Sequence, residues 1–393
     1  MTAHRPRQRT AAALAAGLVL LAAGCGKASS ATDATAPVKI GLVAALSGVY
    51  QAVGTDMRDG FQLYLDQHHG KLGGHTVALA VADEGAGAAT AVPAATKLIK
   101  QDKVVALTGL VGGDSVAAVA PLASSAHVPL VGANARPTLK DISHFWTSSY
   151  MSADPGAAIA GYIHDTVKGP VYAIGPKYQG GYDELGGFTE AFTKAGGTLA
   201  NPDGKTTWTP FPETTNFLPY LSQIAASGAK AVYTFYAGSA AVAFVKQYAQ
   251  SDAKDIPLYA AGFLTEGGLL AAEGDAATGV TTVLNYSPDL DNAANRTFVA
   301  AWKARHDGLP TTFAMASYDA AAILDHAIGS ISGTVTPEAI NTAIGKLGQI
   351  DSPRGPWQFN KDHAPVQKWY LRKVATDGRS LSNTMLQTLT TLG

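Results

Sequence analysis

The chemistry-bearing residues of this sequence do not form a known catalytic pattern. No G-x-S-x-G, H-E-x-x-H or G-x-x-x-x-G-K-[ST] occurs among its 393 residues, and hydrolytic, zinc-dependent and phosphate-binding sites depend on such spacings. Cys25 is the single cysteine and lies near the start of the chain. His68 and His69 are adjacent, so on a helix they point apart and cannot share a metal ion. We therefore predict a protein that is not an enzyme and has no cofactor and no metal site.

Two turns offer groups that suit a bound carboxylate. In "LTGLVGGDS" the glycines leave backbone N–H groups free at a helix N-terminus, which favours an anion. In "ANARP" an asparagine both donates and accepts hydrogen bonds, and an arginine is able to hold a carboxylate through two of them. A plain tight turn and a surface arginine are the alternatives. The predicted contacts in these turns are Gly112, Gly113, Asp114, Ser115, Asn134, Ala135 and Arg136.

Further candidates follow other apolar segments of the chain. Ser47 comes directly after the run from Lys39 to Leu46, and its hydroxyl is placed to bond a ligand, with Tyr50 and Val53 nearby. Aromatic side chains at turns supply the apolar walls with polar tips that small-molecule pockets need, although packing is the commoner role. The aromatic candidates are Tyr150, Tyr178, Tyr182, Tyr236 and Phe263. Glu266, in "GFLTEGG", is a candidate partner for an ammonium group, with a solvated glutamate as the alternative.

The elements that must position these residues alternate between strand and helix. After the first apolar run and Ser47, apolar residues recur at helical spacing from Met57 to Leu65. "HTVALAVAD" predicts a strand over 75–83, and "AATAVPAATKLIKQD" predicts a helix over 88–102. A second alternating series starts near Pro170. We predict an α/β fold of two lobes, each a mostly parallel sheet flanked by helices, with the turns at the strand ends lining one cleft.

The first residues predict export and a lipid anchor. Arg5, Arg7 and Arg9 precede the apolar segment from Ala11 to Ala23, which is typical of a secretory signal and is shorter than the ~20 residues of a membrane-spanning helix. Cys25 follows Ala23-Gly24, as in a bacterial lipobox. We predict a lipid-anchored protein at the extracytoplasmic face of the cell membrane, with Cys25 acylated and residues 25–36 as a flexible tether.

Chain length and net charge indicate the number of domains and the kinds of partner. The chain that follows a 24-residue signal is too long for one typical core and indicates two domains. A formal net charge of −1 gives no indication of a nucleic-acid partner. No later apolar segment has the length of a membrane span. Contact with the membrane is therefore expected only through the anchor, and a monomer is expected.

From Val38 onward the chain resembles the substrate-binding proteins of ABC transporters in the Leu/Ile/Val-binding family. The resemblance is carried, in this order, by "KIGLVAALSGVYQAVGTDMRDGFQL", "VPLVGANA", "FYAGSAAVAFVKQY", "IPLYAAGFLTEGGLLAAEGDAATGV", "FVAAWKARHDGLPTTFAMASYDAAAIL" and "SPRGPWQF". It implies a type I periplasmic-binding fold with three hinge crossings, placed near Ser148, Pro288 and Pro353. The implied division is a signal peptide (1–24), a tether (25–36), lobe 1 (37–148 and 288–352) and lobe 2 (149–287 and 353–393).

The resemblance also implies a ligand and a partner. Family members that bind branched-chain amino acids commonly offer a hydroxyl near Gly112, where this chain has Gly-Gly-Asp. Asn134-Ala135 is closer to a branch associated with aromatic acids, whereas Glu266 in the cleft would favour an amino acid. The expectation is a receptor that closes about its hinge on a branched-chain amino acid or related small carboxylate and delivers it to an ABC permease. An aromatic acid such as benzoate, or a sensory role with a signalling partner, is the alternative.

Overall fold

The computed structural model describes residues 36–376 and 381–393. The predicted signal peptide, Cys25 and the tether up to residue 35 lie outside the described residues. Among the described helices, none has the combination of length and apolar composition needed to cross a membrane. The compact unit spans Pro37–Gly393 and is built on two sheets, which define the two lobes named below.

Lobe 1 is built on a sheet with strand order β2-β3-β1-β4-β5-β6. Only the β2–β3 pair is antiparallel among these neighbours. The apolar run that begins at Val38 forms a central strand of this sheet. Helices cover both faces of the sheet, and a strand buried on both faces favours a continuous apolar segment. The strands are β1 (Val38–Ala44), β2 (Lys71–Leu72), β3 (His75–Asp83), β4 (Ala106–Gly109), β5 (Leu130–Gly132) and β6 (Phe145–Thr147).

Helices cover both faces of the first sheet. The helices of this lobe are α1 (Gln51–Gln67), α2 (Ala88–Lys97), α3 (Gly113–Ser125), α9 (Ala293–Lys303), α10 (Thr312–Gly329) and α11 (Pro337–Ile344). Helices α1, α10 and α11 share one apolar cluster, and α2 and α3 share another across the sheet. Gly60 lets α1 approach α10 closely, since a Cβ at that position would lie 2.1 Å from the Ala314 carbonyl oxygen.

Lobe 2 is built on a second sheet with strand order β12-β13-β11-β10-β9-β7-β8, and β14 pairs with β13. The strands from β7 to β11 pair in parallel, and β12, β13 and β14 add antiparallel pairs. Their bounds are β7 (Val171–Pro176), β8 (Thr207–Thr209), β9 (Ala231–Thr234), β10 (Leu258–Ala261), β11 (Thr281–Leu284), β12 (Gln358–Phe359), β13 (Pro365–Thr376) and β14 (Leu381–Leu392).

The second sheet is likewise enclosed by helices. They are α4 (Asp154–Val167), α5 (Gln179–Lys194), α6 (Leu218–Ala226), α7 (Gly238–Tyr248) and α8 (Gly268–Glu273). Helices α4 and α5 pack in one apolar cluster, and α6, α7 and α8 pack in another. The two-lobed α/β fold with mostly parallel sheets is therefore confirmed.

The chain passes between the sheets after β6, after β11 and after α11, and buried polar groups hold these connections together. The Arg354 guanidinium donates to the carbonyls of Ser148 and Ser149 and forms an ion pair with Asp319 at 2.9 Å. Arg354 also donates to Gln367, whose side-chain oxygen accepts from Asn285. Burial raises the pKa of the Asp319 carboxyl, and the Arg354 charge opposes that shift.

Candidate functional site

A cavity of about 280 Å³ lies between the two lobes, where strands of both sheets end. Turns that follow β1, β4, β5, β7, β8, β9 and β10 contribute to its wall, as expected for open parallel sheets. Its lining residues are Tyr50, Val53, Ala86, Val111, Gly112, Gly113, Asp114, Asn134, Ala135, Ser152, Tyr178, Gln179, Gly180, Glu184, Phe211, Phe235, Ala237, Gly238, Phe263, Leu269 and Phe313.

Aromatic rings from both lobes form most of the apolar wall. Phe211 stacks on Tyr178 with ring centroids 4.5 Å apart. The Phe263 ring meets Phe235 edge-on at 5.7 Å and stacks on Phe313 at 5.4 Å. The rings therefore support one another's orientation and give the cavity an aromatic, apolar wall.

Three helices begin at the cavity. The first residues of α3, α5 and α7 are Gly113, Gln179 and Gly238, and all three line the cavity wall. The residue before each of these helices makes no side-chain capping bond, so first-turn N–H groups lack that partner. Since a helix N-terminus carries partial positive charge, those of α5 and α7, which have no acidic residue in the first turn, favour an anionic group.

Acidic side chains also border the cavity. The Glu84 carboxylate accepts hydrogen bonds from the backbone N–H groups of Val111 and Gly112, at 2.6 and 2.8 Å. It therefore occupies part of the turn that the sequence suggested for a ligand carboxylate. Burial raises the pKa of Glu84, and the bonds from the backbone oppose the shift. Asp114 is exposed and accepts from the N–H of Ala88.

Glu184 is the most deeply buried acid in the cavity wall. It lies on α5 and accepts a 2.6 Å hydrogen bond from the Tyr233 hydroxyl. Burial raises the pKa of Glu184 to about 8. Burial therefore favours the neutral form of this carboxyl group, which adds no negative charge to the cavity.

The structure brings many of the predicted site residues together and leaves others outside. Nine of the predicted residues line the cavity, namely Tyr50, Val53, Gly112, Gly113, Asp114, Asn134, Ala135, Tyr178 and Phe263. Tyr50 and Tyr178 come from different lobes and face the same cavity. The Asn134 amide donates to the Val111 carbonyl at 2.8 Å.

Ser47 and Ser115 do not line the cavity. The Ser47 hydroxyl donates to the Asp83 carboxylate at 2.7 Å, outside the cavity wall. That bond, with the N–H groups of Leu46 and Gly85, lowers the pKa of Asp83. Ser115 is buried within lobe 1. The first predicted turn therefore contributes Tyr50 and Val53 to the wall but not its serine hydroxyl.

Arg136 and Tyr150 are buried behind the wall. Arg136 is 2% exposed and donates to the carbonyls of Pro137 and Asp362, so its guanidinium serves the fold. The Tyr150 ring is fully buried against Trp369 and Phe263, at centroid distances of 5.1 and 6.0 Å. The predicted contact of Arg136 with a ligand carboxylate is not supported by this geometry.

Tyr182 and Tyr236 point away from the cavity. Tyr182 is exposed on α5 and packs edge-on against Trp208 at 4.8 Å. Tyr236 is buried in the core of lobe 2, where its hydroxyl bonds that of Thr209 at 3.1 Å and its ring packs on Phe217. Its neighbour Phe235 lines the cavity instead.

Glu266 has buried partners of its own. One carboxylate oxygen accepts from the backbone N–H of Thr312 at 2.9 Å, and the other forms an ion pair with Arg372 at 3.0 Å. The Glu266 and Arg372 side chains are 4% and 0% exposed. The prediction that Glu266 holds a ligand ammonium group is therefore not supported, because its charge is already neutralised.

Several wall residues were missed by sequence reasoning. They are Ala86, Val111, Ser152, Gln179, Gly180, Glu184, Phe211, Phe235, Ala237, Gly238, Leu269 and Phe313. For some of these residues the sequence does contain a feature that indicates a place in the wall. Gly238 opens a helix directly after a strand, and Gln179 and Gly180 follow the predicted Tyr178. No sequence feature near Phe313 indicates a place in the wall, because only the tertiary fold brings α10 to the cavity.

The profile of a family described as "Periplasmic binding protein" matches residues 37–379. The chain belongs to this periplasmic binding protein family. A protein named Leu/Ile/Val-binding protein homolog 6, from Brucella melitensis, is 29% identical over 366 residues, covering 89% of this chain and 91% of that protein. These matches confirm the predicted family.

Solved structures of periplasmic binding proteins have the same fold. An R. palustris solute-binding protein of an ABC transporter, in complex with benzoate, is 30% identical with a TM-score of 0.82, covering 91% of this chain and 97% of that one. A second R. palustris solute-binding protein, in complex with 4-hydroxybenzoate, is 27% identical with a TM-score of 0.82, covering 91% and 98%. The predicted function class, a solute-binding protein of ABC transporters, is confirmed.

Proposed function

We propose that this protein is the extracytoplasmic receptor of an ABC importer and that its solute is a small aromatic carboxylate. The observation that carries the proposal is the cavity itself, which combines aromatic walls from both lobes with the N-termini of α5 and α7. Rings favour a flat apolar body and helix N-termini favour an anionic end. An aromatic acid has both parts.

The size and charge of the cavity support this solute. Its volume of about 280 Å³ is just below the usual range for small-molecule pockets, roughly 300–1,000 Å³, so it suits a single-ring molecule. Its lining contains no lysine or arginine among the residues that the structure describes. Recognition of the carboxylate would then rest on backbone N–H groups and on neutral donors such as Tyr50 and the protonated Glu184.

A branched-chain amino acid is the second candidate, favoured by the name of the Brucella relative. An amino acid requires an ionised acid beside its ammonium group, because an unpaired buried charge is costly. Glu266 is paired with Arg372, and the raised pKa of Glu184 keeps it neutral. Asp114 is left as the acidic group of the wall for this role, and its exposure to water weakens the interaction.

Binding would proceed by closure of the two lobes about the connections near Ser148, Pro288 and Pro353. The lobes already meet at the cavity, since a Cβ added to Gly238 of lobe 2 would lie 3.0 Å from the Val49 carbonyl oxygen of lobe 1. Tyr50 of lobe 1 and Tyr178 of lobe 2 line the same cavity. A solute that contacts both lobes stabilises this closed form, and it is released unchanged.

Delivery to a permease completes the proposed role. A lipid on Cys25 and the tether to residue 36 would hold a monomeric receptor beside its membrane partner. A sensor that reports ligand occupancy to a signalling protein would use the same closure. Transport predicts that deleting the gene abolishes uptake of the solute itself, whereas a sensory role predicts a changed response with uptake intact.

A thermal-shift panel of matched ligands tests the solute class. Benzoate, benzamide and benzylamine share one ring and differ in charge, and L-leucine represents the second candidate. We expect benzoate to raise the melting temperature and the neutral and cationic analogues to have little effect, because only binding to the native state stabilises it. Stabilisation by benzylamine or by L-leucine, without stabilisation by benzoate, would refute the proposed solute.

A further inference from the structure

Two histidines and a glutamate converge at an edge of lobe 1, away from the cavity. His127 lies in the turn before β5, His144 directly precedes β6, and Glu338 is in the first turn of α11. His144 Nε2 lies 3.1 Å from Glu338 Oε2, and His127 Nδ1 lies 3.7 Å from the same oxygen. One potential ligand atom from each of the three side chains fits within a 4.8 Å span.

These separations are close to those of a tetrahedral zinc site. Zinc binds histidine nitrogen and carboxylate oxygen at about 2.0–2.2 Å, so two ligand atoms of a tetrahedron are about 3.3–3.6 Å apart. The two observed separations, 3.1 and 3.7 Å, bracket that range. All three candidate ligand atoms lie within 4.8 Å of one another, and side-chain rotation has to close the remaining gap to bring them around one ion.

The surroundings of His144 fix its orientation in the way that metal-binding histidines are held. Its other ring nitrogen, Nδ1, is 3.1 Å from the Ser143 hydroxyl. The backbone of Ser143 is itself anchored, because its N–H donates to Asp141 and its carbonyl accepts from Asn341. When Nδ1–H donates to the Ser143 hydroxyl, Nε2 is the unprotonated nitrogen and is free to bind a metal.

We propose that His127, His144 and Glu338 form a binding site for a divalent transition-metal ion of the zinc class. Two imidazoles and one carboxylate suit zinc better than magnesium or calcium, which prefer oxygen ligands alone. The His127 and Glu338 side chains are 74% and 62% exposed, so the fourth position is open to water. The bound ion links α11 to the turns that precede β5 and β6.

The site lies at the opposite ends of its strands from the cavity. His127 and His144 are at the amino ends of β5 and β6, whereas Asn134, which follows β5, lines the cavity. Metal binding is therefore expected to stabilise lobe 1 without contacting the solute. The proposal is independent of the solute class and is tested separately from it.

Calorimetry with zinc chloride tests the site, using full-length protein purified without a polyhistidine tag. We compare the wild type with His127→Gln and Glu338→Gln, since both residues are exposed and the changes leave the core intact. His144→Gln is the third variant, with circular dichroism as a check on folding. His164→Gln is the matched control, because His164 pairs with Asp165 at 2.8 Å in lobe 2 and belongs to no such three-residue group among the described residues.

The expected result is one zinc ion per chain, with at least tenfold weaker binding in each of the three site variants and wild-type binding in the control. Cobalt(II) should give a visible absorption band in the wild type that Glu338→Gln weakens. Equal zinc affinity in the wild type and the site variants would overturn the proposal. The absence of zinc binding to the folded wild type at millimolar concentration would also overturn it, and would leave these residues as an ion pair with a neighbouring histidine.

Discussion

The variant Glu266→Gln separates a structural role for this residue from a role in ligand binding. In lobe 2 Glu266 accepts from the N–H of Thr312 and pairs with Arg372. Glutamine keeps a side-chain oxygen for Thr312 but removes the negative charge. Arg372 then retains the Tyr286 carbonyl, at 3.1 Å, as an acceptor for its buried guanidinium.

The size of the effect follows from burial. Both side chains are almost fully excluded from water, and removal of one partner of a buried ion pair costs about 3–5 kcal/mol because the other charge is left unpaired. That is a large share of a typical unfolding free energy of about 5–15 kcal/mol. We therefore expect a strongly destabilised protein whose ligand affinity, measured below its melting temperature, is close to that of the wild type.

Urea denaturation followed by circular dichroism, with calorimetry of the best ligand, measures both quantities. Asp291→Asn is the matched control, because it breaks an exposed ion pair with Arg296 and exposed pairs contribute little. The double variant Glu266→Gln with Arg372→Met should recover part of the loss, since it removes the unpaired charge. Wild-type stability combined with a tenfold loss of affinity would refute the reasoning and place Glu266 in the ligand site.

Three further changes test the cavity and the anchor. Gly238→Ala inserts a methyl group against the Val49 carbonyl at a positive φ of 58° and should weaken ligand binding about tenfold, or ~1.4 kcal/mol. Gly228→Ala, also at a positive φ but with open space at its Cβ, should not; equal affinities in calorimetry would contradict closure. Burial raises the pKa of Glu184 to about 8, so its carboxyl group ionises as pH rises and benzoate affinity should fall between pH 7 and 9.5. Glu184→Gln should abolish that fall, and a benzoate affinity of the wild type that does not change with pH would contradict the role of Glu184. Cys25→Ala should move the protein from the detergent phase to the aqueous phase, and unchanged partitioning would exclude the lipid anchor.

The fold was predictable because its signals are local and repeated. The alternation of strand and helix patterns determines a parallel sheet, and the strand predicted over 75–83 has those bounds in the structure. The helix predicted over 88–102 is the α-helix α2 up to Lys97, and it continues as a short π-helical segment over Leu98–Asp102. The ends of helices depend on tertiary contacts, so they are harder to predict from the sequence than the existence of the helices.

The site was predictable as a region but only partly as a set of side chains. Phe235 and Tyr236 directly follow β9, and the sequence does not say which of the two rings faces the cavity. The structure places Phe235 in the wall and Tyr236 in the core. The ion-pair partner of Glu266, Arg372, lies 106 positions further along the chain, so no local pattern indicates the pair.

The proposed metal site also depends on residues that are far apart in the sequence and could not be predicted from it. His144 and Glu338 are 194 residues apart in the sequence, and neither occurs in a recognisable ligand motif. The expectation of no metal site was based on spacing alone. Only the packing of α11 against the edge of the first sheet brings these residues together.

Isothermal titration calorimetry of the wild-type protein with benzoate, and separately with L-leucine, tests the central claim most directly. We predict saturable binding of one benzoate per chain with a micromolar dissociation constant, about −8 kcal/mol, and no measurable heat with L-leucine. Saturable binding of L-leucine with no binding of benzoate would contradict the assignment of the cavity to an aromatic carboxylate.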